Sequence, residues 1–383
     1  MKAIDIDRFR RERTPFYFYD VELLHATLRT MTAAASDDNY VVHYAIKANA
    51  NPVILRIISS YGLGADCVSG GEIRAAIENG FRTDKIVFAG VGKSDWEIIY
   101  ALENNIECFN VESIEEMRVI AEIAESLGKT ADICLRINPN VAAHTHANIT
   151  TGLAENKFGI AISDIGMAVE ECLSNPTLRF KGFHFHIGSQ ILDMADFTVL
   201  CNRVNQMLQW AEKHHVAIEM INVGGGLGID YHEPDKNPIP DFNSYFSTFR
   251  SHISLSQHQK LHFELGRSVV GQCGSLVTRC LYVKQGHHKQ FAIIDGSMTE
   301  LIRPALYQAY HKIENISNSN GLEYYDVVGP VCESSDVFAK NIELPTIHRG
   351  DFVVIRSAGA YGESMSSNYN SRPLPPTVFS KQE

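Results

Sequence analysis

The sequence predicts an α/β fold, a (β/α)₈ TIM barrel followed by a C-terminal antiparallel β domain. Up to about residue 270, eight short runs rich in β-branched and aromatic residues alternate with helix-length segments. Beyond that point, similar runs follow one another with turns and little helix between them. Parallel strands need helical crossovers that cover both faces of the sheet, and a count of eight favours closure into a barrel.

The candidate barrel strands are 41–47, 62–69, 85–90, 106–113, 132–139, 180–189, 218–227 and 260–267. Segments between them, such as 70–79, 94–104, 113–127 and 194–214, carry apolar residues at three- and four-residue spacing, which predicts helices. Two helices begin with capping boxes, Ser94 with Glu97 and Ser113 with Glu116. An open doubly wound sheet is the alternative, but no GxGxxG motif follows the first strand.

The later runs predict the β domain, and they are 275–284, 290–295, 324–328 and 351–357. A helix-like insert, 299–312, lies among them, and the polar, proline-rich tail 366–383 is expected to be loosely ordered. The predicted boundaries are therefore 25–270 for the barrel and 271–383 for the β domain.

Composition excludes several classes of function. The formal net charge of -11 should repel nucleic acid and anionic membranes. Charges interrupt every apolar run near the N-terminus, so no signal peptide is predicted, and no window reaches the length of a membrane span. The eight cysteines form no CxxC pair. We therefore expect a cytoplasmic protein with mostly reduced thiols.

Polar residues gather where the predicted strands end, and in a barrel these ends form the active-site mouth. The residues concerned are Lys47, Asp66, Ser69, Asn110, Glu112, Arg136, Asn138, His186, Ser189, Gly224, Gly225, Gly226, Glu264 and Arg267. A lysine, a triple glycine, a histidine and a carboxylate at one mouth indicate a catalytic site.

Lys47 ends an apolar run, so partial desolvation should lower its pKa and make it a nucleophile for Schiff-base formation. Alone, it could equally be a lysine that extends to the barrel rim. Gly224, Gly225 and Gly226 let the backbone approach a phosphate closely, and with Ser189 they suggest a phosphate-binding cup. The alternative for the glycines is a flexible turn.

His184 and His186 are two residues apart on one strand and face the same side. They could be a metal pair, but no further ligand set has suitable spacing, so no metal site is predicted and His186 is interpreted as stacking on a flat cofactor. Glu264 could face the nitrogen of a pyridine ring, or form a salt bridge with Arg267.

In the second domain, Cys332 and Glu333 are adjacent in GPVCESSD (329–336), and Tyr361 lies in a glycine-flanked loop. Cys332 could also be an ordinary buried thiol. Arg303 and Tyr307 are four residues apart and should share one helix face.

The chain resembles the diaminopimelate decarboxylases, of the alanine-racemase-like, ornithine-decarboxylase-related class of pyridoxal-phosphate enzymes. The segments that carry the resemblance are YAIKANAN (44–51), GADCVSGGE (64–72), THANITTGLAENKFGI (145–160), HFHIGSQ (184–190), NVGGGLG (222–228), ELGR (264–267), IRPALYQAYH (302–311), GPVCESSD (329–336) and SAGAYG (357–362). They lie in order over roughly residues 14–373. Leu265, where the family usually has proline, and Gly296-Ser297, where it often has alanine-glycine, are departures.

The resemblance implies a fold type III enzyme with pyridoxal 5'-phosphate, in which segment 1–24 joins the β domain. Lys47 would form the imine with the cofactor. The other implied cofactor-binding residues are Asp66, His186, Ser189, Gly224, Gly225, Gly226, Glu264, Gly266, Arg267 and Tyr361. Substrate would be bound by Arg267, Arg303, Tyr307, Glu333 and Tyr361. Cys332 would act as the acid that reprotonates the α-carbon.

The implied reaction is decarboxylation of meso-2,6-diaminopimelate to L-lysine and CO₂, the last step of lysine biosynthesis. The resemblance also implies a homodimer in which Cys332 and Glu333 enter the partner's site. A carboxynorspermidine decarboxylase, a non-catalytic pyridoxal-phosphate barrel and a metal hydrolase using the histidine pair are the alternatives.

Overall fold

A computed structural model describes residues 6–138 and 157–381. The chain divides into two compact units. The barrel unit comprises residues 28–228 and 241–266, and the second unit comprises 1–27, 229–240 and 267–383. Residues 229–240 thus belong with the second unit, although they lie within the stretch 25–270 that the sequence assigns to the barrel. Most of segment 145–160 lies outside the described residues.

Three elements precede the barrel in the sequence, and they are α1 (Ile6–Phe9), β1 (Phe16–Tyr19) and α2 (Val21–Ala34). The barrel strands are β2 (Tyr40–Ala45), β3 (Gly64–Cys67), β4 (Ile86–Phe88), β5 (Cys108–Val111), β6 (Ala131–Arg136), β7 (Leu178–His184), β8 (Met220–Asn222) and β9 (Lys260–Leu265). Each pairs in parallel with the next, and β2 pairs with β9 to close the ring. The predicted eight-stranded barrel is confirmed.

Helices connect the barrel strands. They are α3 (Pro52–Ser60), α4 (Gly70–Glu78), α5 (Asp95–Glu103), α6 (Ile114–Ser126), α7 (Ile165–Ser174), α8 (Met194–Lys213) and α9 (Phe242–His252). The carboxylate of Glu97 accepts the Ser94 N–H at 2.9 Å, which caps α5 as predicted. At α6, Ser113 Oγ accepts the Glu116 N–H at 3.1 Å, but the Glu116 carboxylate accepts from the Glu112 N–H, so only half of that capping box forms.

The barrel interior is layered because alternate residues of each strand point inward. Val87, Cys108, Cys134 and Met220 form an apolar cluster within it. Polar side chains occupy the carboxyl-terminal layer, and these are Asp66, Asn110, Asn222 and Glu264, all buried. Of the eight cysteines, seven are buried, Cys332 is exposed, and all are free thiols.

The second unit is built on a mixed sheet of eight strands in the order β12-β15-β10-β11-β13-β14, with β1 paired to β10 and β16 paired to β1. Its elements after the barrel are α10 (Arg267–Val270), β10 (Gly274–Gln285), β11 (Gln290–Ile294), α11 (Arg303–Tyr307), β12 (Ile313–Asn315), β13 (Glu323–Val328), β14 (Val337–Leu344), β15 (Phe352–Ile355) and β16 (Thr377–Phe379).

This sheet differs from the predicted antiparallel one in two places. β11 pairs with β13, and β1 with β16, in parallel. The predicted helix 299–312 is only the five residues of α11, and it stops where Gln308 adopts a left-handed φ of 52°. The prediction of a loosely ordered tail is wrong, because β16 is part of the sheet. Among residues 6–138 and 157–381, the helices lack the combination of length and hydrophobicity that a membrane-spanning segment requires.

Candidate active site

Lys47 and Asp66 form an ion pair at the carboxyl-terminal end of the barrel. Lys47 follows β2 in a single 3₁₀ turn, and its Nζ lies 2.6 Å from Oδ2 of Asp66 on β3. The lysine side chain is 38% exposed, whereas the Asp66 side chain is fully buried. Burial, and then the nearby Glu264 carboxylate, raise the pKa of Asp66 against the opposing charge of Lys47. The pair therefore joins a reachable amine to a carboxylate able to take up a proton.

Glu264 is held as a buried anion by three neighbours. Its Oε1 accepts from the side-chain amides of Asn110 at 3.1 Å and Asn222 at 2.6 Å, and its Oε2 lies 3.2 Å from His184 Nε2. Burial favours the neutral acid, but His184 and then Lys47 outweigh it, so the pKa of Glu264 is lowered. A carboxylate has about four acceptor positions, so a further donor can still bind at Oε2.

Asn222 connects Glu264 to the glycine run. While its Nδ2 donates to Glu264, its Oδ1 accepts the N–H of Gly224 at 2.9 Å. Gly224 and Gly226 have φ values of 70° and 108°, which favour glycine. A Cβ on Gly225 would overlap the carbonyl oxygen of Glu264. The run is therefore a fixed turn packed against β9, not a flexible one.

His186 lies beside this turn. Its Nδ1 accepts the N–H of Gly225 at 3.4 Å, and a Cβ on Gly224 would press on the ring. Burial, followed by the charges of Arg136 and Lys47, lowers the pKa of His186 to about 3. The ring is therefore neutral near pH 7, as a ring that stacks on a flat cofactor can be.

The remaining predicted residues of the barrel mouth fall into two groups. Ser189 lies in the half-buried loop after β7, and Gly266 packs closely against Ala45 and Ala48 beside Lys47. Arg136 and Glu112 instead pair with each other at 2.6 Å. Ser69 caps α4 by accepting the Glu72 N–H. These last three positions are accounted for by structural contacts.

In the second unit, two buried arginines lie among aromatic rings. The Arg267 guanidinium is 5.0 Å from the Tyr361 ring centre and donates to the Tyr231 hydroxyl at 2.6 Å. Arg303 lies 5.6 Å from the ring of Tyr231 and 5.8 Å from that of Tyr307. Four of the predicted substrate-binding residues therefore meet around Tyr231, which sequence analysis had missed.

The Arg303 guanidinium has no acidic partner among residues 6–138 and 157–381. Its Nε contacts the neutral His311 Nε2 at 3.3 Å. Burial, and the nearby charge of Arg267, lower the pKa of Arg303 despite the tyrosines around it. Two neighbouring guanidiniums held in apolar surroundings form a ready site for a carboxylate.

Cys332 and Glu333 lie in an exposed loop of the second unit. The Glu333 carboxylate accepts from the Tyr369 hydroxyl at 2.7 Å. Asp336 anchors the loop, because its carboxylate accepts the N–H of Val331 at 2.8 Å and of Met298 at 2.7 Å.

Asn222 and Asp336 also support the site, although the sequence motifs did not predict either residue. Asn222 lies two positions before the glycine run, where its side chain can bond the backbone amide of Gly224, and this spacing was a usable signal. The anchoring role of Asp336 carries no comparable signal, because its partner Met298 is distant in the sequence.

Comparisons with known proteins agree with this geometry. The family described as "Pyridoxal-dependent decarboxylase, pyridoxal binding domain" matches residues 22–271. The chain is 59% identical to the diaminopimelate decarboxylase of Bacteroides thetaiotaomicron over 98% of each chain. It is 43% identical to that of Zymomonas mobilis, over 94% of this chain and 86% of the relative.

Solved structures show the same relationship. Diaminopimelate decarboxylase from Helicobacter pylori, complexed with L-lysine, superposes with a TM-score of 0.93 at 38% identity, over 99% of this chain and 94% of the other. The chain therefore belongs to the pyridoxal-dependent decarboxylase family, among the diaminopimelate decarboxylases.

Proposed function

We propose that this protein removes one carboxyl group from meso-2,6-diaminopimelate and releases L-lysine and CO₂, using pyridoxal 5'-phosphate. The observation that carries the proposal is the pairing of Lys47 with buried Asp66 beside the buried Glu264 anion, in a chain 59% identical to a named diaminopimelate decarboxylase. The relative of known structure that binds L-lysine, the product of this reaction, supports the choice of substrate.

The residues of the barrel fit the cofactor. Asp66 Oδ1 is buried and accepts no hydrogen bond within the described residues, and Glu264 Oε2 has room for one more donor. The turn Gly224–Gly226 carries no side chains, so a phosphate can approach its backbone closely. When bound, the protonated pyridine ring supplies an electron sink for the pair left by the departing carboxylate.

Each residue then has a definite task in the proposal. Lys47 binds the cofactor aldehyde, and Asp66 accepts the ammonium proton that must leave before the amine can react. His186 covers one face of the ring. Glu264 stays ionised and holds the proton on the pyridine nitrogen. Ser189, Gly266 and the turn Gly224–Gly226 hold the phosphate, with the Gly226 N–H as the backbone donor because the Gly224 and Gly225 N–H groups already donate to Asn222 and His186.

Arg267 and Arg303 are proposed to bind the carboxylate of the substrate's distal amino-acid group. This assignment rests on the chemistry of the guanidiniums, since Arg303 is buried without an acidic partner within the described residues. A ligand lacking that carboxylate would leave buried charge unpaired and should bind much more weakly. Tyr307, Tyr361 and Glu333 are the other proposed substrate contacts.

We also propose a homodimer in which Cys332 and Glu333 complete the partner's site, with the Cys332 thiol returning a proton to the α-carbon. The exposed position of this thiol, unlike the seven buried ones, supports a role outside the protein's own core. Co-expression of Lys47→Ala and Cys332→Ser chains tests this. Each mixed dimer should keep about half of the wild-type activity, because one of its two sites has both residues intact. Random pairing makes about half of the dimers mixed, so the co-expressed sample should recover about a quarter. No recovery, despite demonstrated mixed dimers, would rule out a shared site.

The first test of the reaction is an absorbance spectrum of the purified protein followed by CO₂ release from meso-diaminopimelate. The wild-type protein should show a near-visible band and turnover, and Lys47→Ala should lose both. Carboxynorspermidine is assayed in parallel to separate the related decarboxylase. The assignment would be overturned if Lys47→Ala retains turnover, or if the wild-type protein turns over carboxynorspermidine but not meso-diaminopimelate.

A further inference from the structure

The barrel holds a second polar cluster that the proposed reaction does not use. His43 on β2 and His262 on β9 lie on the two strands that close the barrel, and Glu107 directly precedes β5. His43 Nε2 lies 2.8 Å from His262 Nδ1 and 3.9 Å from Glu107 Oε2, and all three atoms fall within 4.8 Å of one another. The two imidazoles are buried, with relative exposures of 0% and 1%.

The local backbone is built around the His43 ring. Gly64 on the neighbouring strand leaves the space that the ring fills, because a Cβ there would overlap His43 Nδ1. His43 Nδ1 lies 3.2 Å from the Lys85 carbonyl oxygen, which can only accept, so this nitrogen carries the proton. The lone pair of Nε2 therefore points towards His262 and Glu107, and it accepts a hydrogen bond from His262 Nδ1 at 2.8 Å. Metal-bound histidines are commonly held in this way, with the second ring N–H on a backbone carbonyl.

We propose that His43, His262 and Glu107 bind one transition-metal dication of the zinc class. Two imidazole nitrogens and a carboxylate oxygen are a common ligand set for such ions, with a water in the fourth position. Bonds of about 2.0–2.2 Å place tetrahedral ligand atoms about 3.3–3.6 Å apart. The two imidazole nitrogens must therefore separate by about half an ångström as the ion replaces their hydrogen bond and the His262 proton moves to Nε2, and the partly exposed Glu107 side chain must rotate towards them. Among the residues described by the structure, none donates a hydrogen bond to the buried Glu107 Oε2. A cation would satisfy that oxygen.

Solvent and charge both permit a cation here. The Glu107 side chain is 23% exposed and borders a cavity of about 400 Å³ that Asp84 and Asp132 also line. His262 and Glu264 are two residues apart on β9, so the cluster lies one side-chain layer below the anionic carboxylate. The other charged groups that face the cluster are Asp66, Asp84, Lys85, Lys181 and Lys260. With Glu107 and Glu264 included, carboxylates outnumber ammonium groups.

A bound ion would join β2, β9 and the start of β5 across the barrel, so it should stabilise the closed ring. It acts independently of the cofactor, because none of its three ligands is assigned to the proposed reaction.

Titration calorimetry tests the site with Zn²⁺ on the full-length protein after treatment with a chelator. We expect one ion per chain and a thermal midpoint that rises with Zn²⁺ concentration, as for any ligand that binds only the folded state. Co²⁺ should give visible absorption of a four-coordinate nitrogen and oxygen site, without the sulfur charge-transfer band that a cysteine ligand would produce.

Two variants and one control make the test specific. His262→Asn and Glu107→Gln should each weaken Zn²⁺ binding at least about tenfold, and Glu107→Gln is the change that the fold tolerates more readily because this side chain is partly exposed. His287→Ala, an exposed histidine of the second unit, should bind as the wild type does. Absence of stoichiometric binding, or unchanged affinity in Glu107→Gln, would overturn the proposal.

Discussion

At the scale of single residues, the proposed chemistry depends on keeping Glu264 ionised inside the barrel. Two amide donors and one imidazole surround its oxygens, and they oppose the burial that would otherwise protonate it. Asn222 has a double task, because it also holds the backbone amide of Gly224. Asn222 is thus a positioning residue whose effect reaches both the proposed pyridine contact and the proposed phosphate contact.

Asn222→Asp tests that position. A second carboxylate beside Glu264 should raise the pKa of Glu264, so the acidic limb of the pH–rate profile should move to higher pH and kcat should fall by about tenfold or more. The control is Asn202→Asp on the exposed face of α8. An unchanged acidic limb would show that a charge at residue 222 does not affect the pKa of Glu264.

Cys332→Ser tests the proposed proton donor. A hydroxyl is a far weaker acid than a thiol, so kcat should fall by about 10²–10⁴-fold while KM changes little. Ser334→Ala, in the same exposed loop, should leave kcat unchanged and serves as the control. If Cys332→Ser turns over at the wild-type rate, another group supplies the proton.

Much of the site is predictable from the sequence because strand ends must meet at one end of a barrel. Lys47, Asp66, His186 and Glu264 were placed in this way. Ser69 and Glu72 have the same spacing as the two predicted capping boxes, so the helix cap at Ser69 was a usable signal. The sequence could not show that Glu112 pairs with Arg136, because a carboxylate at a strand end has the same one-letter signature in either role.

At the scale of elements, the turn Gly224–Gly226 fixes the mouth of the barrel. Its backbone conformation and its contact with β9 both exclude side chains. Periodicity predicted the elements around it well, but it overestimated the helix after residue 299. Apolar spacing continues there to residue 312, whereas the backbone turns left-handed at Gln308, and no glycine in the sequence marks that stop.

Gly225→Ala should damage the barrel unit, because the added methyl group would meet the Glu264 carbonyl oxygen. We expect a loss of at least about 1–3 kcal/mol of stability, seen as a lower thermal midpoint or insoluble protein. Gly92→Ala is the control, since a Cβ there meets nothing within 4 Å. Equal midpoints for the two variants would mean that the turn is not rigid.

At the scale of the whole chain, the mixed sheet was harder to predict than the barrel. The pairing of β1 with β10 and β16 joins segments that are hundreds of residues apart, and no local pattern encodes such partners. The polar composition of residues 366–383 suggested disorder, because the strand β16 is only three residues long and leaves little trace in the sequence. Its order comes from pairing with a partner strand that is distant in the sequence.

Two neutral histidines, the buried His311 and the half-buried His186, predict how the protein responds to acid. Burial lowers the pKa of His186 and His311 to about 3, aided by the charges of Arg136 and Arg303 respectively. Since these histidines titrate near pH 6.5 when unfolded, their contribution is fully present above that pH. It should be lost as the pH falls towards 3, at about 1.4 kcal/mol per pH unit for each.

Scanning calorimetry between about pH 7.5 and about pH 5 should therefore show a falling thermal midpoint. His311→Gln should flatten that fall in the transition of the second unit, whereas His287→Gln, at an exposed position, should not. A midpoint independent of pH in the wild type would contradict the assigned burial.

The seam between β2 and β9 has a consequence for biosynthesis. These strands are neighbours in the ring although some two hundred residues separate them, and Glu264 lies on the last barrel strand to be made. A chain still leaving the ribosome can assemble strand–helix units in turn, at about 5–20 residues per second, but it cannot join Glu264 to Asn110 and Asn222 until β9 has emerged. Capture of the vitamin-derived cofactor should therefore follow translation of the entire barrel.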